Sequence, residues 1–152
     1  MGGIMGQVYY KLFYHVIWRT KGDAPIITPK MEKVAFPFLE NKAKRYRSFI
    51  HAVNGTENHL HVAITIPPSF AVSDIVGKLK GCTSYFLNME LGITKGFSWQ
   101  DGFGVFSFSE RDLPGIVEYI RNQKEHHRIG RLRDELERTD SDDLPGPRFA
   151  EE

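Results

Sequence analysis

The chain has 152 residues, 41% of them hydrophobic and 26% charged, with one cysteine and a formal net charge of +1. Those values fit a single domain that buries its own core. They exclude an internally disulfide-stapled scaffold, and no apolar run approaches the ~20 residues of a membrane-spanning helix. Charge is uneven along the chain: residues 131–152 carry four arginines against eight acidic residues, which leaves residues 1–130 at +5. A basic body of this kind permits a nucleic-acid partner without requiring one. The opening Met1-Gly2-Gly3-Ile4-Met5-Gly6 lacks the basic region and apolar core of a signal peptide. With Cys82 alone, a reducing cytoplasm is the expected location, and a packing role for Cys82 beside Leu79 and Phe86 is the simplest one.

Residues 8–18 (VYYKLFYHVIW) are aromatic and β-branched and read as a long strand. Gly22-Asp23-Ala24-Pro25 is a loop. Thr28 reads as an N-cap with Pro29 in the first turn of a helix reaching about Arg45, and Pro37 predicts a kink or break inside it. Residues 48–56 and 58–66 are two strands joined by a tight turn near Gly55, the second stopped by Pro67-Pro68. Ser73-Asp74 caps a second helix with Ile75, Leu79, Cys82 or Thr83, and Phe86 along one stripe. A loop follows through Gly96.

Residues 103–109 alternate as a fourth strand, and Ser109 caps a third helix from Glu110 to about His127, with Asp112 and Pro114 in its first turns. After Gly130, residues 131–138 form a short helical patch before a polar, breaker-rich tail. The expected class is α+β. Its first six elements match the ferredoxin-like (split βαβ) pattern, a four-stranded antiparallel sheet with helices on one face, to which an additional C-terminal helix is added. The expected organisation is one domain over residues 1–130, with a helical patch and acidic tail over 131–152.

His59-Leu60-His61 lies in the third strand. Residues two apart in a strand share a face, so His59 and His61 project side by side while Leu60 points away. Two neighbouring imidazoles are a ready pair of metal ligands, although such a pair by itself is more often packing. Tyr119 and Gln123, four apart on the third helix, stack on one face, at the edge of an apolar stripe through Leu113, Ile116, Val117 and Ile120 or away from it. If that helix crosses the sheet near the histidines, the Gln123 carbonyl oxygen completes a His-His-Gln site with the Tyr119 hydroxyl one turn away.

A tyrosine beside a divalent cation is a candidate nucleophile toward phosphorus. All three proposed ligands are neutral, which leaves the ion its charge and several open positions. Two imidazoles make Mg²⁺ a weak binder and Mn²⁺ a tighter one. His126 and His127 read as helix C-terminal residues interacting with the helix dipole, a metal or phosphate role being the alternative. Lys78, Lys80, Arg121, Lys124 and Arg128 are candidate phosphate contacts, against the simpler reading of solvated helix faces. Trp99 is a candidate to stack on an unpaired base, with anchoring of its loop as the alternative.

Taken together these residues make the chain resemble the HUH single-tyrosine transposases of the insertion-sequence-200 type, which include the REP-associated tyrosine transposases. The likeness runs from about Tyr9 to His127. It is carried by Phe13-Tyr14-His15-Val16-Ile17-Trp18-Arg19-Thr20, His59-Leu60-His61, Lys78-Leu79-Lys80-Gly81, Trp99-Gln100-Asp101-Gly102-Phe103-Gly104 and Glu118-Tyr119-Ile120-Arg121-Asn122-Gln123.

The resemblance implies His59, His61 and Gln123 as ligands of Mg²⁺ or Mn²⁺. It implies Tyr119 as the nucleophile on a single-stranded DNA phosphodiester, giving a 5′-phosphotyrosine and a free 3′-hydroxyl. It further implies a hairpin-bearing DNA partner and a homodimer, often with Tyr from one subunit completing the other's site, and neither membrane association nor a nucleotide cofactor. Asn58 stands where Asp is frequent, Phe103 where Tyr is frequent, and the segment after His127 is shortened or diverged. The competing readings are a domesticated enzyme that processes REP palindromes, a non-catalytic RRM-like nucleic-acid-binding module, and a metal-dependent hydrolase of a small molecule in which Tyr119 is a bystander.

Overall fold

A computed structural model describes residues 6–90, 92 and 96–139; residues 1–5, 91, 93–95 and 140–152, on which the expected loop before Gly96 and the expected acidic tail fall in part, lie outside the described residues. The elements are β1 (Phe13–Arg19), α1 (Pro29–Arg45), β2 (Phe49–Gly55), β3 (His59–Thr65), α2 (Val72–Glu90), β4 (Gly104–Phe108), α3 (Leu113–Arg121), α4 (Gln123–Ile129) and α5 (Asp134–Glu137). The four strands lie in the order β2-β3-β1-β4 with every pairing antiparallel. This is the expected ferredoxin-like arrangement, with β3 and its histidines in the middle of the sheet.

Strand alternation divides the side chains between two cores. Leu60, Val62 and Ile64 of β3 and Val16 and Trp18 of β1 pack with Met31, Leu39, Ile75, Leu79 and Leu87 of α1 and α2. On the other face Ala52 and Ala63 meet Ile116, Tyr119 and Ile120 of α3 and Leu136 of α5. The additional C-terminal helix therefore covers the sheet face opposite α1 and α2, and small residues at 52 and 63 let it lie close. Among the described residues no helix is long and apolar enough to cross a membrane.

Local chemistry explains most boundaries. α1 starts as expected, with the Met31 N–H donating to Thr28 Oγ1 at 3.2 Å and Pro29 in the first turn. It is not broken at Pro37, because Ala35, Leu39 and Ala43 on either side are held in the core. β1 is shorter than its composition suggests. Its register ends at Phe13↔Phe108 and Tyr14↔Ile64, so both neighbouring strands stop there, and Val8, Tyr9 and Tyr10 are exposed. A strand extends only as far as its ladder partners.

The third helix is not continuous either. Its first turn, Glu110–Asp112, is 3-10, the Ser109 hydroxyl donates to the Asp112 carboxylate rather than capping the backbone, and Asn122 (φ −99°, ψ 21°) separates α3 from α4. Asn54 of β2 secures that break by donating from Nδ2 to the Arg121 carbonyl at 2.8 Å.

Gly55 closes the turn that leads into β3. A Cβ there would overlap the His59 carbonyl oxygen and crowd Leu60 Cδ2. Gly55→Ala is expected to lower the unfolding free energy by about 1–3 kcal/mol, which urea denaturation would register as a lower midpoint.

Candidate metal centre and nucleophile

His59 and His61 are 1% and 0% exposed, on the face of β3 that looks toward α3, and Leu60 is buried on the other face. Each imidazole has a partner for its far nitrogen. His59 Nδ1 lies 2.7 Å from Asn58 Oδ1 and 2.9 Å from Thr56 Oγ1. An amide oxygen can only accept, so Nδ1–H donates to it and the Nε2 lone pair is free to face the site. His61 Nδ1 lies 2.8 Å from Nε2 of His15, which comes from β1 on the same face. His15 is itself fully buried, and its Nδ1 has no hydrogen-bond partner.

α3 and α4 bring the second half of the site. Tyr119 and Gln123 are both buried, rather than at the edge of the apolar stripe or away from it, and His127 follows one turn later. Gln123 Oε1 lies 3.0 Å from His127 Nε2, and that nitrogen lies 3.1 Å from His59 Nε2. Gln123 thus reaches the histidine pair by way of His127. The expectation that His127 faces the helix dipole does not hold, because its ring turns into the site. His126 instead stacks on the Tyr119 ring, with centroids 4.9 Å apart.

Gly130 ends α4 in the left-handed region (φ 72°), and the Arg131 N–H donates to the His126 carbonyl at 2.9 Å. An L side chain rarely adopts this conformation, and glycine does so freely. The chain then doubles back, Leu136 is buried against the sheet, and Glu137 enters the site. Glu137 Oε2 lies 3.1, 3.5 and 3.7 Å from Nε2 of His61, His59 and His127. Its Oε1 accepts a 2.6 Å hydrogen bond from the Tyr119 hydroxyl, and the Arg133 N–H donates to that hydroxyl at 3.1 Å.

Sequence reasoning missed Glu137 and undervalued His127. The available signals were slight: one apolar residue, Leu136, in a charged run, and a histidine four residues after Gln123. The donor atoms of His59, His61, His127 and Glu137 all lie within 4.8 Å of one another. Imidazoles with a carboxylate are a donor set suited to a divalent ion. With Glu137 present the set is no longer the neutral one expected.

The electrostatics follow from burial. Burial first, and the neighbouring His61 second, push His15 and His59 down to about 3; burial also lowers His61. All three are neutral at pH 7, as metal ligation requires. Burial alone would raise Glu137, but the hydrogen bonds from the His61 imidazole and the Tyr119 hydroxyl outweigh it and hold the carboxyl at about 2. Tyr119 is pushed up to about 12 by burial and by the carboxylate beside it. In this arrangement the proton stays on the phenol.

One consequence concerns acid stability. His15 and His59 titrate at their ordinary 6.5 in the unfolded chain and at about 3 in the fold. Between those values the unfolded chain takes up protons that the fold refuses. Stability is therefore complete above pH 6.5 and is lost as pH falls toward 3. Melting temperatures in chelator-containing buffer are expected to drop steadily from pH 6.5 to pH 4, with a shallower slope in His15→Gln.

Four of the five basic candidates have partners within the fold. Lys80 Nζ donates to the carbonyls of Gln100 (2.8 Å) and Gly102 (2.7 Å). Lys124 Nζ bridges Glu32 Oε2 and Asn54 Oδ1, both at 2.7 Å. Lys78 lies over the Tyr46 ring, Arg128 pairs with Glu125, and Arg121 is exposed. Trp99 donates from Nε1 to the Lys80 carbonyl and sits edge-on to Trp18, which anchors its loop to the core. A cleft of about 560 Å³ opens beside Glu137, lined by Arg19, Gln100, Asp134 and Arg138 among others.

Residues 8–123 match the family described as Transposase IS200 like. Over 119 residues the chain is 22% identical to the ISDra2 transposase TnpA of Deinococcus radiodurans, an alignment that covers 75% of this chain and 85% of that protein. A crystal structure described as a transposase of Deinococcus radiodurans superposes with a TM-score of 0.62 and 26% identity, covering 81% of this chain and 98% of the other. The fold is also that of a REP-associated tyrosine transposase solved bound to a REP hairpin, with a TM-score of 0.58 and 14% identity over 86% of this chain and 76% of that one.

Proposed function

Because the chain belongs to the IS200-like transposase family, we propose that it cleaves and rejoins single-stranded DNA, with Tyr119 as nucleophile and a divalent metal held at His59, His61 and Gln123. The observation that carries this reading is a single carboxylate that touches both halves of the site. Glu137 is 2.6 Å from the Tyr119 hydroxyl and 3.1 Å from His61 Nε2, so phenol and imidazoles stand one small anion apart, the separation a phosphodiester would bridge.

A bound Mg²⁺ or Mn²⁺ supplies a Lewis acid to a phosphate oxygen, and imidazole donors favour Mn²⁺. The Tyr119 oxygen bonds to phosphorus as the P–O3′ bond breaks, and the phenol proton ends on the departing 3′-hydroxyl. The 5′-phosphotyrosine keeps the bond energy, so a 3′-hydroxyl reverses the step without ATP. His15 and Asn58 hold the two histidines with Nε2 turned to the site.

The solved relative with its REP hairpin supports a hairpin-bearing strand as substrate. Arg121, Lys78, Lys80, Lys124 and Arg128 are the proposed phosphate contacts; Lys80 and Lys124 would exchange internal partners for DNA. Family resemblance supports a homodimer, and Tyr119 stands beside the histidines of its own chain.

The test is incubation with Mn²⁺ and labelled hairpin-bearing single-stranded DNA, followed by a denaturing gel. A slowly migrating protein–DNA adduct that a chelator abolishes is expected. Binding without an adduct, indifferent to chelator, would instead establish a non-catalytic module.

A further inference from the structure

We propose that His127 and Glu137 convert the histidine pair into a closed four-ligand site for a tetrahedral transition-metal ion, Zn²⁺ or Co²⁺ rather than Mg²⁺, with Glu137 the ligand that the scissile phosphate displaces. This rests on the metal-dependent strand-transfer reading and specifies the resting state of the same site.

The spacing of the donor atoms carries the inference. A tetrahedral ion with bonds of ~2.0–2.1 Å holds its ligands ~3.4 Å apart. Here His59 Nε2 to His127 Nε2 is 3.1 Å, and Glu137 Oε2 to the three Nε2 atoms is 3.1, 3.5 and 3.7 Å. Asn58 takes the Nδ1 proton of His59, which leaves its Nε2 lone pair inward; His61 Nε2–H donates to the Glu137 carboxylate in the metal-free fold, and a metal ion would take that nitrogen once the proton sits on Nδ1, where His15 Nε2 accepts it. Mg²⁺ prefers six oxygens and dehydrates reluctantly, so three imidazoles select against it.

Glu137 also holds the place the substrate needs. Its two oxygens span from the Tyr119 hydroxyl to the imidazoles, and two anions do not share that position. The segment that carries the carboxylate is short: α5 has four residues, and Leu136 is the one buried side chain among them. Gln123 Oε1, 3.0 Å from His127 Nε2, is the neutral oxygen at hand when Glu137 leaves. The family match ends at residue 123, so His127 and Glu137 both lie outside it.

Titration of the metal-free full-length chain with Co²⁺ tests this, because four-coordinate Co²⁺ absorbs intensely in the visible and six-coordinate Co²⁺ is pale. The wild type is expected to show intense bands that Zn²⁺ removes and excess Mg²⁺ does not. Glu137→Gln and His127→Ala should each weaken Co²⁺ binding roughly tenfold or more and pale the spectrum. Gly104→Ala, whose Cβ would overlap the Arg138 carbonyl oxygen, should have the same effect as Glu137→Gln without altering any ligand. Hairpin-bearing single-stranded DNA should bleach the bands in Tyr119→Phe, where no turnover intervenes.

A pale wild-type spectrum with binding that depends on His59 and His61 would overturn the closed site and leave the strand-transfer reading standing. Intense bands unchanged in both Glu137→Gln and Gly104→Ala would overturn the role of Glu137. Absence of any Co²⁺ binding to the wild type, or binding unaffected by His59→Ala, would overturn the metal site itself.

Discussion

Tyr119→Phe is expected to leave no covalent protein–DNA adduct, a loss on the order of 10⁴-fold or more in strand transfer, while metal and DNA binding persist. The substitution removes one oxygen and little else. The ring keeps its stack on His126 and its edge contact with His61 (centroids 6.1 Å apart). The hydroxyl's bonds to Glu137 and from the Arg133 N–H are lost, at a cost of about 1 kcal/mol of stability. Far-UV circular dichroism and a thermal melt should therefore resemble wild type, so a missing adduct reports chemistry rather than unfolding. An undiminished adduct would remove Tyr119 as nucleophile. Turnover of a small substrate that survives Tyr119→Phe but not His59→Ala would point instead to a hydrolase.

His61→Ala is expected to weaken Mn²⁺ binding by roughly 100-fold or more and to destabilise the fold by about 2–4 kcal/mol. His61 is fully buried between His15 Nε2 at 2.8 Å and Glu137 Oε2 at 3.1 Å. Its removal opens a cavity and leaves both neighbours short of a partner where water is excluded. His127, with 27% of its side chain exposed, should cost less stability when truncated although it also borders the site. Isothermal titration for the metal and urea denaturation for the fold separate the two effects. A His61→Ala chain that still forms a Mn²⁺-dependent adduct would sink His61 as a ligand.

Particular residues show why some of the molecule could be read from its sequence and some could not. The Thr28 cap, the two strands flanking Gly55 and the β3 alternation are local. Neighbours within a few residues decide them, so cap, turn and period are visible in the string. The end of β1 is not local: residues 8–12 have strand chemistry, but a strand needs a partner, and β3 and β4 both run out opposite Phe13 and Tyr14. The break at Asn122 likewise depends on Asn54, 67 residues away, capping Arg121. Glu137 was hidden for the same reason, since its contacts with His61 and Tyr119 cross 76 and 18 residues.

The sequence by itself determined the α+β class, the shared face of His59 and His61, the buried position of Leu60 behind them and the apolar stripe of Ile116 and Ile120 on the third helix. Periods of 2 and 3.6 residues dictate such placements wherever a chain folds. Only the tertiary structure decided that α3 and α4 lie on the histidine side of the sheet, that His127 turns inward, and that the chain reverses at Gly130 to put Glu137 between phenol and imidazoles. Those outcomes depend on which faces pack together, and packing is settled by shape and burial over the whole domain rather than by any one segment.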